Sequence, residues 1–173
     1  CCTPDAMAQA RRVAAKLDIP FYVIDAKDVF KETVVQYFLD GYARGETPNP
    51  CLICNRQIRW TFLLDHALAL GAEYMATGHY VRRQVADDGH VELLRAVDHS
   101  KDQSYVLHVL TQDKLKHALF PVGDYPKPEI RAIAESFGLS TASRKDSQDL
   151  CFLAGEDYRN FLQRNAAEML KPG

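Results

Sequence analysis

Pro48 and Pro50 set the strongest local limit on this chain. Each fixes its own φ and biases the residue before it, Thr47 or Asn49, toward extended geometry, so no helix is expected to run through them. Thr47 to Asn55, Thr-Pro-Asn-Pro-Cys-Leu-Ile-Cys-Asn, therefore reads as a stiff loop. Directly after it, Ile58, Phe62, Leu63, Ala67 and Leu70 recur at steps of about three and four, the pattern of an amphipathic helix over Asn55 to Leu70. Cys51 and Cys54 then lie at a loop-to-helix junction. Unpaired N–H groups and the positive end of the helix dipole predict a lowered thiol pKa there.

A Cys-x-x-Cys in this setting has several readings. It could be half of a structural zinc site, although no second pair or His-x-x-x-His follows at zinc-finger spacing. It could be a dithiol redox pair, but the expected context after a first strand is missing. Both thiols could also be packing residues, since buried cysteine behaves as a small hydrophobe. The rigid Pro-Asn-Pro presentation argues against that last reading.

With 173 residues, 47% hydrophobic and 25% charged, the chain has the composition of a soluble globular protein with one good core. No segment reaches the roughly 18 consecutive apolar residues of a membrane span, and no signal peptide precedes the first helix, so a cytoplasmic location is expected. Five cysteines, Cys1, Cys2, Cys51, Cys54 and Cys151, suit a reducing compartment and reactive or ligating thiols. The net charge of −2 excludes a global basic signature. Nucleic-acid binding would need a local patch such as Arg56, Arg59, Arg82, Arg83, Lys101, Arg144 and Lys145, and scattered basic residues are more often plain surface.

In chain order, Pro4 and Asp5 start a helix with Ala6, Ala10, Val13, Ala14 and Leu17 on its apolar face. Phe21-Tyr22-Val23-Ile24 reads as a buried strand. A helix leading into a strand is an α/β unit, and one that opens without a preceding strand implies sequence upstream. Phe30, Val34, Phe38 and Tyr42 mark a second amphipathic helix, and Gly71 is a plausible stop for the third. Glu73 to Thr77 reads as a second buried strand ending in Gly78-His79. The carboxyl end of a parallel strand is where ligands gather in open α/β sheets, although a lone histidine is more often structural.

Val81 to Ala86 and Val91 to Val97 flank Asp87-Asp88-Gly89-His90, a hairpin by its turn chemistry. Lys101-Asp102-Gln103-Ser104-Tyr105 is a dense polar cluster whose bland reading is a solvated loop and helix cap. Thr111 is placed to cap a helix from Gln112 to Leu119. Pro128 starts a helix that ends at Gly138. A polar loop from Ser143 then delivers Cys151 before Phe152, and Gly155 to Leu170 reads as a last helix. A three-thiol site would consist of Cys51, Cys54 and Cys151.

The series Gly45-Glu46-Thr47-Pro48-Asn49-Pro50, Cys54-Asn55, Ala76-Thr77-Gly78-His79-Tyr80, Lys101 to Tyr105, Leu119-Phe120-Pro121-Val122-Gly123 and Lys145-Asp146-Ser147 through Cys151-Phe152 closely resembles the tRNA-specific 2-thiouridylases of the MnmA family, almost from end to end. The resemblance implies an α/β, Rossmann-like domain of the adenine nucleotide alpha hydrolase or ATP-pyrophosphatase type. It spans residues 1–154, with the start of a central domain over 155–173. It implies a sulfurtransferase that uses ATP with Mg2+ to adenylate O2 of the wobble uridine in tRNAs of the Lys, Glu and Gln types. Sulfur then attacks C2 and AMP leaves.

By the same resemblance, Cys151 is the persulfide-bearing cysteine and Cys54 the nucleophile that releases the sulfur, with a Cys54–Cys151 disulfide closing the cycle. Gly78 would contact ATP through its backbone. Asn49, Pro50 and Cys51 would wall the target base, while His79, Lys101, Asp102 and Gln103 would contact tRNA. Sulfur would come from a cysteine desulfurase or a sulfur-relay protein.

Two departures qualify the carry-over. Some family members have Asp where this chain has Cys51, so Cys51 is either a substitute in that acid-base role or a third thiol. As a third thiol, it could join Cys54 and Cys151 as ligands of a [4Fe-4S] cluster that binds the transferred sulfide. The family's phosphate loop would lie before Cys1 and its barrel domain beyond Gly173, so these 173 residues alone are expected to bind neither ATP nor tRNA strongly and not to turn over. Another ATP-dependent tRNA thiolase and a non-catalytic cysteine metal module are the alternative functions.

Overall fold

The structure, a computed structural model, describes residues 4–144 and 150–169. Helix α1 (Pro4–Lys16) opens with a proline, which needs no N–H at that position, and has Asp5 and Lys16 at the ends that suit the helix dipole. The following run departs from expectation. Phe21 to Ile24 forms no strand, and Tyr22 and Val23 are 72% and 60% exposed. A β-former prefers a pleated, half-covered surface, and among the described residues no neighbouring strand provides one here.

Helix α2 runs through three consecutive segments, Lys27–Phe30, Lys31–Val35 and Gln36–Ala43, of which the middle one is wound as a π-helix. Phe30, Val34 and Phe38 are buried, as their four-residue spacing predicts. A Cβ on Gly41 would sit 2.9 Å from the Pro48 ring, so this glycine lets the proline loop fold back onto α2.

Helix α3 corrects the reading of the proline loop. It comprises Pro50–Ile53, Cys54–Leu63 and Leu64–Ala69, so it begins at Pro50 and not at Asn55. Pro50 occupies the first helical position, where its missing N–H is no loss, and the Asn49 side chain caps the end by accepting from the Cys51 N–H at 3.2 Å. The first proline blocks a helix and the second opens one. Cys54–Leu63 is again π-wound. Gly71, at φ +87°, ends α3 as expected, with Ala72 N–H donating to Ala67 C=O at 3.0 Å.

Strand β1 (Met75–Ala76) is shorter and more exposed than expected. It pairs in parallel with β4 (Ala118–Leu119), Met75 opposite Ala118. Helix α4 (Gln112–Lys116) therefore stops short of Leu119. Thr111 sits at its N-cap, but its hydroxyl makes no capping bond; the turn closes through Leu115 N–H to Thr111 C=O at 2.9 Å.

Between β1 and β4 in sequence lies the expected hairpin, β2 (Val81–Val85) and β3 (Val91–Arg95), turned through Gly89 at φ +80°. Trp60 and Leu64 of α3 bury against Val81, Val91, Leu107, Leu115, Ala118 and Phe120.

Helix α5 (Lys127–Ser136) ends before Gly138, as its punctuation predicts. Helix α6 (Tyr158–Ala166) starts three residues later than expected because Asp157 caps it, accepting from Arg159 N–H at 2.7 Å. Its Leu162 and Ala166 pack on Phe38 and Leu39 of α2. No helix among the described residues is long and apolar enough to cross a membrane.

Candidate active site at the start of the cysteine helix

Cys51 and Cys54 occupy the first turns of α3, and the winding of that helix decides what lies beside them. A π-helix closes i to i+5 bonds, so Arg59 lies one turn beyond Cys54. Its positive charge is felt at Cys54, where it favours the thiolate. Its Nη1 also lies 3.1 Å from Nε2 of His79. A guanidinium has donors and no acceptor, so Nε2 must accept this bond. The neutral ring then carries its proton on Nδ1, which lies 2.9 Å from Oγ1 of Thr77 and donates to it.

His79 is 5% exposed, just past β1, with its ring edge on Phe120. Burial, and then the Arg59 charge, push its pKa down to about 4. It is neutral at physiological pH.

The thiols differ from expectation. The pKa values of Cys51 and Cys54 are both raised, chiefly because protein packed around each sulfur disfavours the thiolate. A thiolate on Cys151 raises both further, and Arg59 opposes without prevailing. A helix terminus is worth about 0.3–1 kcal/mol at an exposed site, too little to offset desolvation here. The resting state is the protonated thiol.

Cys151 is exposed and follows residues outside the description, while its neighbour Phe152 is anchored against Phe38 at 5.2 Å, Phe161 at 5.4 Å and Phe30 at 6.1 Å between ring centroids. Cys151 is near enough for its charge to be felt at both Cys51 and Cys54. None of the three is in a disulfide. Among the described residues no three His, Cys, Asp or Glu side chains are grouped closely enough to hold a metal ion.

Gly78 is exposed at the carboxyl end of β1, and nothing lies within 4 Å of where its Cβ would be. The backbone there is open to close approach. Asn49 is exposed with its side-chain oxygen engaged in capping, and Pro50 is buried.

The polar cluster is more structural than its sequence suggests. Asp102 accepts from Ala96 N–H at 2.8 Å and from the Ser104 hydroxyl at 2.7 Å. Gln103 exchanges two bonds with Tyr80: its Oε1 accepts from Tyr80 N–H at 3.0 Å, and its own N–H donates to Tyr80 C=O at 2.8 Å. Lys101 N–H donates to Asp98 C=O at 3.0 Å. These bonds clamp the segment to the strand β1 exit and the hairpin.

Much of the suggested basic patch is engaged in the same way. Arg82 donates to Arg95 C=O, Arg83 to Ala118 C=O, and Arg144 to the Gln9 side chain. Lys145 lies outside the described residues. Sequence reading placed Arg59 in that patch and gave Thr77 no role in the site. The step of five from Cys54 to Arg59 was the available signal, but it reads as off-face in an α-helix.

Parallel pairing of β1 with β4 and flanking helices, with an open glycine at the strand end, define a Rossmann-like α/β domain. The chain belongs to the tRNA methyl transferase HUP domain family, whose model matches residues 1–155. It is 49% identical over its whole length to the tRNA-specific 2-thiouridylase MnmA 1 of Thermoanaerobacter sp. (strain X514), covering 48% of that protein. The tRNA-specific 2-thiouridylase MnmA of Moorella thermoacetica is also 49% identical, with 49% of it covered, and that of Roseiflexus castenholzii is 47% identical, with 51% covered. The chain thus spans about half the length of the curated relatives it matches.

Proposed function

We propose that this chain is the thiol-bearing part of a sulfurtransferase that converts a tRNA uridine to 2-thiouridine with ATP. The observation that supports this most is the approach of Cys151, on its Phe152 anchor, to Cys54 beside Arg59. A Cys54 thiol that feels the charge of Cys151 suits a relay that ends in a disulfide.

The uridine O2 attacks the α-phosphate of ATP and pyrophosphate leaves, so that the poor oxygen leaving group becomes AMP. Cys151, charged by a persulfide donor, directs its terminal sulfur at C2; the C–S bond forms and AMP departs. The Cys54 thiolate then attacks the inner sulfur of Cys151. The S–S bond to the nucleoside breaks, 2-thiouridine leaves, and a Cys54–Cys151 disulfide remains for a dithiol reductant.

Cys51, whose thiol pKa is raised chiefly by burial, stands beside the base in the acid-base role, and ligation of a [4Fe-4S] cluster with Cys54 and Cys151 is the second reading. Gly78 offers the open backbone for ATP. Asn49 and Pro50 with Cys51 form the rim for the base, and Lys101, Asp102 and Gln103 present a braced loop to tRNA.

The test uses the protein at its relatives' full length, with tRNA, ATP·Mg2+ and a persulfide-charged donor, and mass-spectrometric quantification of 2-thiouridine. Cys54→Ser and Cys151→Ser should each reduce product by about a hundredfold or more, as loss of a covalent participant does. Undiminished product from Cys151→Ser would sink the relay.

A further inference from the structure

Arg59 ends a line of side chains that begins inside the fold. His79 is buried just past β1, and both nitrogens of its ring are in use: Nδ1 lies 2.9 Å from Thr77 Oγ1, and Nε2 lies 3.1 Å from Arg59 Nη1. A ring so enclosed does not itself reach a ligand, but Arg59 does. Its side chain is exposed, the bond to His79 occupies one of its several N–H donors, and among the described residues no carboxylate pairs with it. Because a guanidinium only donates, Nε2 is a bare acceptor, so the ring orients the group and leaves its charge uncancelled. A cation anchored by a neutral partner is arranged to receive an anion.

Its surroundings indicate which anion. The rim for the base lies at the first turn of α3, and the open backbone offered to the nucleotide is Gly78, next to His79 in the chain. Arg59 stands on α3, where side chains tilt toward the helix start, and it is bonded to the residue that follows Gly78, so it joins the two. In the adenylation step the α-phosphate is the one group bonded both to the uridine oxygen and to the nucleoside. We propose that Arg59 binds the α-phosphate of ATP and offsets the charge that builds on it as the uridine oxygen attacks, with His79 as the positioning residue that aims it. This deepens the proposed reaction and rests on it for the identity of the phosphate.

Calorimetric titration of the protein at its relatives' full length compares AMP, which carries that phosphate, with adenosine, which lacks it. Arg59→Ala should weaken AMP binding by about tenfold to a hundredfold, as loss of a charge-assisted hydrogen bond does, and leave adenosine binding unchanged. Arg59→Lys keeps the charge without the planar fork and should recover part of the loss. His79→Leu should act in the same direction but more weakly, and His79→Gln, whose side-chain oxygen can replace Nε2, should restore AMP binding. AMP and adenosine weakened alike by Arg59→Ala would mark a damaged pocket and overturn the proposal. Unchanged AMP binding would overturn it too, and a salt dependence of tRNA binding reduced by about one phosphate contact would then assign Arg59 to the tRNA backbone. Should the unaltered protein make 2-thiouridine while Arg59→Ala binds AMP normally, this inference alone fails; an unaltered protein that binds no adenine nucleotide overturns the proposed reaction with it.

Discussion

His79 places a neutral imidazole between a cation and a hydroxyl, and this has a consequence for stability. Its folded pKa is about 4 against an ordinary value of 6.5. Below pH 6.5 the unfolded chain takes up a proton that the folded chain refuses until about pH 4, so stability should fall through that window and level off on either side. At about 1.4 kcal/mol per pKa unit the full effect is about 3 kcal/mol. Urea unfolding midpoints measured across the window should show the slope, and His79→Gln should flatten it. An unchanged slope in that variant would place the proton elsewhere. Asp102 makes a second residue-scale case: Asp102→Ala would strip the acceptor from the buried Ala96 N–H, at a cost of about 1–3 kcal/mol. Thermal unfolding checks it, and Asp102→Asn, which keeps an acceptor oxygen, should cost less.

Elements meet at two places where a single residue decides the fit. Gly123 passes so close to the start of β2 that a Cβ would lie 1.8 Å from the Val81 carbonyl oxygen. Because the obstacle is backbone, Gly123→Ala must displace the hairpin or its own loop, and a loss of about 3 kcal/mol or more is expected in a denaturant melt. This explains the glycine in Leu-Phe-Pro-Val-Gly better than any conformational freedom does. Phe152 joins α2 to α6 through three rings. Phe152→Ala should cost about 2–4 kcal/mol and, by loosening Cys151, slow oxidative formation of the Cys54–Cys151 disulfide, read on non-reducing gels. Disulfide formation at the parental rate would show that Phe152 serves only the core.

Over the molecule as a whole, local patterns and long-range pairing contributed differently to what could be read in advance. Helices α1 and α2, the Asp-Gly hairpin and the stops at Gly71 and Gly138 were legible because each depends on neighbours in sequence: apolar spacing, a turn residue, a positive φ. The thiol residues were legible too, since the motifs that contain them are contiguous. What the residue string alone determined is therefore the set of helices, the hairpin, the family and the identity of Cys51, Cys54 and Cys151. Tertiary structure alone decided which apolar runs became strands, because a strand exists only where another backbone accepts its bonds; Phe21 to Ile24 found none among the described residues, and Met75–Ala76 found Ala118–Leu119. It also decided the chemistry of the site. The bond between Arg59 and His79, the burial that keeps His79 neutral and raises the thiol pKa values, and the bonds that tie Gln103 to Tyr80 arise from groups far apart in sequence, whose fields and packing no local pattern encodes.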